Sequence, residues 1–146
     1  MTSHKPVTIV MIEDDDGHAR LIERNIRRAG IFNDIRHFSD GHSALDFLFN
    51  GHDGPTMNGP ALVLLDLNLP DMSGTDILAK IKAAPALKRT PVVVLTTTDD
   101  KVEIQRCYDL GCNVYVTKPV NYEAFAEAIR QLGLFLSVIQ VPEVEK

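Results

Sequence analysis

Four consecutive acidic side chains end the first apolar stretch of the chain, and they are the residues best able to do chemistry there. Residues 9–16 read IVMIEDDD, and the acidic run comprises Glu13, Asp14, Asp15 and Asp16. Two carboxylates about 4 Å apart repel each other by roughly 4 kcal/mol at an effective dielectric near 20. Either the four side chains therefore point apart, or a cation holds some of them together.

Three further apolar stretches lead into polar side chains suited to metal or phosphate chemistry. ALVLLD ends in Asp66, PVVVLT ends in Thr96, and NVYVT runs directly into Lys118. If these stretches are parallel strands, their carboxyl ends meet at one edge of a sheet. Three carboxylates, those of Glu13, Asp14 and Asp66, would then lie beside a hydroxyl and an ammonium. Hard oxygen ligands of this kind favour Mg²⁺, which keeps several waters and expects a phosphate to complete its coordination.

The hydrophobic pattern predicts the elements that would bring these side chains together. Four stretches are β-branched and almost continuously apolar, as parallel strands covered on both faces are: 7–12, 61–66, 91–96 and 113–117. A weaker, alternating strand at 34–38 suits a sheet edge. Helical stripes lie between the strands: 17–29, 41–49, a segment capped by Ser73 and stopped by Pro85, 100–110, and a last helix capped by Asn121.

The order of a strand followed by a helix, repeated five times, indicates one α/β domain. Right-handed crossovers between parallel strands then give a doubly wound three-layer sandwich around a five-stranded parallel sheet. The chain has 146 residues, of which 45% are hydrophobic, which is enough for one domain with a proper core.

Charge and composition exclude several classes of function. The formal net charge is −5 and no basic stripe is present, which argues against a nucleic-acid binder. The first strand is not followed by a glycine-rich phosphate loop, so a pre-bound dinucleotide is not expected. Cys107 and Cys112 lack the partners of a zinc site and are expected to be reduced thiols. No signal peptide or membrane span is recognisable, and we expect a soluble, cytoplasmic protein.

The chain resembles the receiver domains of two-component response regulators. The matching motifs are IEDD, LLDLNLPDMSG, VVVLTTTDD and YVTKPV, which occur in the family's order and span nearly the whole chain. The TTTDD segment and the apolar tail look most like the single-domain receivers that partner phytochrome-type histidine kinases. The resemblance implies a flavodoxin-like strand order of 2-1-3-4-5 and a receiver domain over residues 1–137. Residues 138–146 would form a tail that leaves no room for an output domain.

The resemblance also implies a role for each residue at the strand ends. Asp66 would be the phosphoacceptor, attacking the phosphohistidine of a sensor histidine kinase to form an aspartyl phosphate. Lys118 would pair with Asp66 and then with a phosphoryl oxygen, while Thr96 would donate its hydroxyl to another phosphoryl oxygen. The implied Mg²⁺ ligands are the carboxylates of Asp14 and Asp66, Glu13 through a water, and the backbone carbonyl of Asn68.

A conformational switch is implied as well. Thr96 and Tyr115 would rearrange on phosphorylation, and the surface of the last strand and the last two helices would respond. The Lys118–Pro119 peptide bond is cis in the family, and X–Pro bonds are where a cis bond costs least. His18 is expected to be an exposed residue of the first helical turn.

Two alternatives remain open from the sequence. An Mg²⁺-dependent phosphatase or phosphotransferase could also form an aspartyl phosphate, although such enzymes typically carry a second acid where this chain has Asn68. The apolar tail could fold back on its own domain, or it could pair with a second chain in a symmetric homodimer, which we favour. The tail residues concerned are Leu134, Phe135, Leu136, Val138 and Ile139.

Overall fold

The structure, a computed structural model, describes residues 7–49 and 61–118, and these ranges alternate strands with helices. The elements are β1 (Thr8–Ile12), α1 (Asp16–Arg28), β2 (Ile35–Phe38), α2 (Gly41–Phe49), β3 (Ala61–Leu65), α3 (Gly74–Ala83), β4 (Val92–Thr96), α4 (Lys101–Leu110) and β5 (Val114–Thr117). The bounds predicted for these strands and helices agree with the structure to within one residue. The predicted last helix, Pro119, the domain boundary at 137 and the tail residues 134–139 lie outside the described residues.

The five strands form one parallel sheet in the order β2-β1-β3-β4-β5. Every neighbouring pair is parallel, with Ile12 opposite both Phe38 and Leu65, and Thr96 opposite Thr117. The predicted fold class and strand order are therefore confirmed. The order reverses between β1 and β3, and in such sheets the functional crevice lies outside the strand ends at this point.

Helices cover both faces of the sheet, which explains why the strands are apolar on both sides. Helix α1 packs Ala19, Ile22 and Ile26 against one face of β1 and β3. Helices α2, α3 and α4 cover the other face, where Leu48 and Leu78 belong to the same buried cluster as alternate residues of β1, β3 and β4. The strand ends therefore belong to a sheet that is packed against helices on both faces.

Both cysteines belong to this packed interior. Cys107 and Cys112 are free thiols and are buried, as expected for reduced cysteines. Burial raises the pKa of the Cys107 thiol to about 11, so at neutral pH it stays protonated. A protonated, buried thiol behaves as a small apolar side chain.

Glycine at position 74 lets helix α3 begin directly against the backbone of the predicted phosphoacceptor. The Gly74 N–H donates to the carbonyl of Leu67 at 2.9 Å. A Cβ added at Gly74 would lie 2.5 Å from the Asp66 carbonyl oxygen and 2.6 Å from the Leu67 Cα. Both obstacles are backbone atoms, which cannot move aside as a flexible side chain can.

We expect Gly74→Ala to destabilise the protein by about 1–3 kcal/mol, the usual cost of forcing extra volume into a packed site. Alanine is the better helix former by roughly 0.5–1 kcal/mol, but the backbone collision outweighs that gain. Urea unfolding measures the difference. The exposed Lys80→Ala change on the same helix should stay within about 0.5 kcal/mol. A stable Gly74→Ala protein would show that the loop after β3 tolerates displacement.

Asp71 ties the loop after β3 to the start of helix α2. Its carboxylate accepts hydrogen bonds from the backbone N–H groups of Gly41 and His42, each at 2.9 Å, and also contacts the His42 ring. These bonds, that from Gly41 first, lower the pKa of Asp71 to about 2. The segment that follows Asp66 is thus anchored at both Asp71 and Gly74.

We expect NMR titration of the Asp71 carboxyl group to give a pKa near 2, with only a modest rise in His42→Ala. The imidazole is the smaller contributor, and both backbone donors remain in that variant. The pKa of Asp71 is lower in the folded state than its value of about 4 in the unfolded state. Ionised Asp71 therefore stabilises the fold at pH values above about 4. That contribution is lost as the pH falls from about 4 toward 2. An Asp71 pKa of the ordinary value would rule out this anchor.

Candidate functional site

The four acids that end β1 separate into two pairs with different tasks. Asp15 is the N-cap of α1 and accepts a hydrogen bond from the His18 N–H at 2.9 Å, while Asp16 lies in the first turn. Negative charge is favourable at a helix N-terminus. Glu13 and Asp14 remain at the strand end. Asp15 and Asp16 are therefore stabilised by the helix N-terminus, and only Glu13 and Asp14 still need a nearby positive charge.

Glu13, Asp14 and Asp66 come together at the carboxyl ends of β1 and β3. Each of them offers a carboxylate oxygen, and these oxygens all lie within 4.8 Å of one another. Glu13 and Asp66 are buried, whereas Asp14 is exposed. Oxygen donors open to solvent on one side fit a hard divalent cation that retains water. The fold thus brings together the three carboxylates that the sequence places at the strand ends.

Buried Glu13 has a hydrogen-bond partner on each carboxylate oxygen. Its Oε1 accepts from the Lys118 ammonium at 2.6 Å, and its Oε2 accepts from the Asp15 N–H at 3.1 Å. Burial raises the pKa of Glu13; the Lys118 bond opposes that rise, and the nearby Asp66 charge adds to it. Lys118 therefore supplies the counter-charge that makes a buried glutamate tolerable.

Lys118 is buried and touches three acceptors. Its Nζ lies 2.6 Å from Glu13 Oε1, 3.2 Å from His18 Nδ1 and 3.3 Å from Asp66 Oδ2. The expected pairing with Asp66 is present, but the contact with Glu13 is shorter. Sequence reasoning missed that contact and the one with His18. A lysine side chain is long and flexible, so the position of its backbone does not reveal which acceptor it reaches.

Thr96 and Asn68 are joined beside the predicted phosphoacceptor. The Asn68 side chain donates to Thr96 Oγ1 at 3.2 Å and to Thr97 Oγ1 at 3.3 Å. The Asn68 N–H donates to Asp66 Oδ1 at 3.0 Å. Thr96 is fully buried. The residues at the ends of β3 and β4 therefore form one hydrogen-bonded group around Asp66.

The second predicted switch residue connects β5 to the loop after Thr96. The Tyr115 hydroxyl donates to the carbonyl of Thr98 at 2.6 Å, and the Tyr115 N–H donates to the Tyr108 hydroxyl at 3.2 Å. Burial raises the pKa of Tyr115 to about 12, so its hydroxyl stays protonated and able to donate. A displacement of Thr96 would consequently reach Tyr115 through only two intervening residues.

Two histidine side chains contact residues of the site. His18 was expected to be exposed, but it is half-buried and contacts Lys118. The His37 Nε2 lies 2.7 Å from the carbonyl oxygen of Glu13, to which it can only donate. The available signal for His18 was its place three residues after the cap Asp15, in the helical turn nearest the strand end.

No helix within residues 7–49 and 61–118 is long and apolar enough to cross a membrane.

Comparison with known proteins gives matches over nearly the full chain. The family profile of the response regulator receiver domain matches residues 9–130. A crystal structure of a response regulator receiver domain from Rhodospirillum rubrum is 68% identical, with a TM-score of 0.84, and covers 96% of this chain and 100% of that chain. Response regulator Rcp1 of Synechocystis is 34% identical over 141 residues, which are 96% of each protein.

Two related structures were solved in states that bear on the site. The Mn²⁺-bound form of Rcp1 has a TM-score of 0.80 at 33% identity, covering 94% of this chain and 99% of that chain. The phosphorylated cyanobacterial phytochrome response regulator RcpA has a TM-score of 0.79 at 33% identity, covering 92% and 96%. The residues that the family profile matches include Glu13, Asp14 and Asp66.

Proposed function

This chain belongs to the response regulator receiver domain family, and from that premise we propose that Asp66 accepts a phosphoryl group from a phosphohistidine of a sensor histidine kinase. One observation carries the proposal. Asp66 lies at the end of β3 with the Lys118 ammonium 3.3 Å away and with Glu13 and Asp14 in the same carboxylate cluster. Lys118 supplies positive charge beside a carboxylate that is able to act as a nucleophile, and the clustered carboxylates offer the oxygen donors for a divalent cation that would neutralise the rest.

Mg²⁺ is the cofactor we propose for this site. Asp14 and Asp66 would hold it directly, Glu13 through a water, and Asn68 through its backbone carbonyl. The oxygen-only donor set supports this assignment, as does the Mn²⁺-bound form of the related Rcp1. When bound, the ion neutralises both the carboxylates and the phosphoryl oxygens that approach them.

The transfer itself needs a nucleophile, a leaving group and charge neutralisation. A carboxylate oxygen of Asp66 forms the new bond to phosphorus while the nitrogen–phosphorus bond of the phosphohistidine breaks and the imidazole leaves with the electron pair. Lys118 then pairs with one phosphoryl oxygen. Thr96 Oγ1 accepts a hydrogen bond from Asn68, which leaves its own O–H to donate to another phosphoryl oxygen.

The switch that we propose includes Thr96 and Tyr115, which the loop after β4 connects. Large exposed apolar side chains on α4 and β5 support a responding surface there, namely Val102, Tyr108 and Val114. A phytochrome-type kinase is the proposed partner, because the related RcpA is a phytochrome response regulator. Cytoplasmic location and a homodimer formed through the tail stay predictions.

Incubation of the full chain with Mg²⁺ and an acyl phosphate or phosphoramidate tests the proposal. We expect intact-mass measurement to show one added phosphoryl group, labile to hydroxylamine and mapped to Asp66. Label at another residue, or none, would refute the assignment. Repeated turnover of a phosphomonoester would instead favour the phosphatase alternative. Transfer from a panel of histidine kinases, a photoreceptor kinase among them, then identifies the partner.

A further inference from the structure

The ammonium of Lys118 has one acceptor atom nearby for each of its N–H donors. An ammonium has three N–H donors and no acceptor. Three acceptor atoms lie within reach of the Lys118 Nζ: one oxygen each of Glu13 and Asp66, and His18 Nδ1. The contact with His18 differs from the other two, because His18 is neither a proposed metal ligand nor the proposed phosphoacceptor.

The three acceptors differ in what else they have to do. Glu13 and Asp66 are both proposed metal ligands, and Asp66 is also the group that would form the bond to phosphorus. The imidazole of His18 carries no negative charge and has neither of these tasks. Because lysine can only donate, Nδ1 of His18 must accept, which places the ring proton on Nε2.

The N-terminal cap of helix α1 fixes the place of His18. The His18 N–H donates to Oδ1 of the cap residue Asp15 at 2.9 Å. A Cβ added at Gly17 would lie 3.2 Å from the same Asp15 oxygen, so glycine at this position avoids a tight contact with the cap side chain. The cap therefore sets the first turn of α1, and with it the position from which the half-buried His18 meets Lys118.

We propose that His18 is a positioning residue for phosphotransfer, which holds the Lys118 ammonium at the strand edge through a neutral acceptor. This inference rests on the function proposed above. When the metal and the phosphoryl group engage the two carboxylates, His18 keeps one donor of Lys118 fixed. Another donor is then free to turn toward a phosphoryl oxygen. His18 acts through Lys118 and does not itself touch the reacting atoms.

The test compares two substitutions at His18 in the full chain, with an acyl phosphate as donor and saturating Mg²⁺. His18→Leu removes the acceptor and should lower the rate constant of phosphorylation at saturating donor about tenfold, a typical effect of losing a hydrogen bond to a charged group. His18→Asn keeps an oxygen near the position of Nδ1 and should restore the rate to within about twofold of wild type, the range of ordinary surface substitutions. The exposed Glu23→Leu change on α1 is the matched control and should leave the rate unchanged.

The possible results separate this inference from the proposed function. If wild type is not labelled at Asp66, the proposed function itself fails. If wild type is labelled and His18→Leu reacts at the wild-type rate, only the inference about His18 fails. A slow His18→Asn variant would also overturn it, because the acceptor atom would then not be what matters. Long-range proton–nitrogen NMR gives an independent readout, and a proton on Nδ1 of His18 would contradict the proposed bond.

Discussion

Asp66→Asn is expected to abolish the incorporation of phosphate from a small donor while leaving the protein folded. The amide is isosteric with the carboxylate but is too weak a nucleophile to attack phosphorus. Its carbonyl oxygen can still accept the Asn68 N–H bond, which Asp66 Oδ1 now receives at 3.0 Å. Intact-mass measurement after incubation with the donor and Mg²⁺ should therefore show no added phosphoryl group.

The stability of this variant distinguishes a loss of chemistry from a loss of structure. The Asp66 charge is one of the causes that raise the pKa of Glu13, so its removal relieves a like-charge repulsion. The weaker contact with Lys118 is lost at the same time. These opposing effects should leave the free energy of unfolding within about 1 kcal/mol of wild type. The exposed Asp76→Asn change is the matched control and should be labelled normally. Label that persists in Asp66→Asn would place the phosphoacceptor elsewhere.

The fold was predictable because its determinants are local and repeated. Strands such as β3 (Ala61–Leu65) are apolar at every position, which is the property of a strand covered on both faces. Ser73 predicted a helix start and Gly111 a helix end. Capping depends on the residue's own side chain or backbone conformation and not on tertiary contacts. Ser73 accepts from the Thr75 N–H, and Gly111 adopts a left-handed φ of 109°.

The site was predictable only in part, because its contacts depend on side chains that cross between strands. The meeting of Glu13, Asp14 and Asp66 follows from the alignment of parallel strand ends, and the sequence was sufficient to expect it. The choice of Glu13 as the nearest partner of Lys118 depends on how a flexible side chain threads between neighbours. The approach of His18 depends on where a helix cap sets the first turn. No spacing indicates the contact with Glu13, and the spacing of His18 from the cap Asp15 indicates only its turn of the helix and not its partner.

Lys118→Met is expected to destabilise the protein strongly when a chelator removes divalent cations, and Mg²⁺ is expected to reverse much of the loss. The substitution leaves two buried carboxylates, Glu13 and Asp66, without their ammonium partner. Removal of one member of a buried ion pair typically costs about 3–5 kcal/mol. Burial already raises the pKa of Glu13 with Lys118 present, and loss of the lysine raises it further. Because a raised carboxyl pKa costs stability as pH rises through it, the deficit should shrink on acidification.

Urea unfolding of wild type and Lys118→Met, each with chelator and with Mg²⁺, measures this reversal. A ligand that binds only the folded state stabilises it in proportion to the logarithm of its concentration over its dissociation constant. Mg²⁺ should therefore stabilise Lys118→Met more than wild type, since the ion no longer competes with an ammonium for the same oxygens. The exposed Lys101→Met change on α4 should stay within about 0.5 kcal/mol of wild type under both conditions. Equal stabilisation of wild type and Lys118→Met would mean that lysine and metal do not share the carboxylates. The charge neutralisation on which the proposed transfer depends would then need another source.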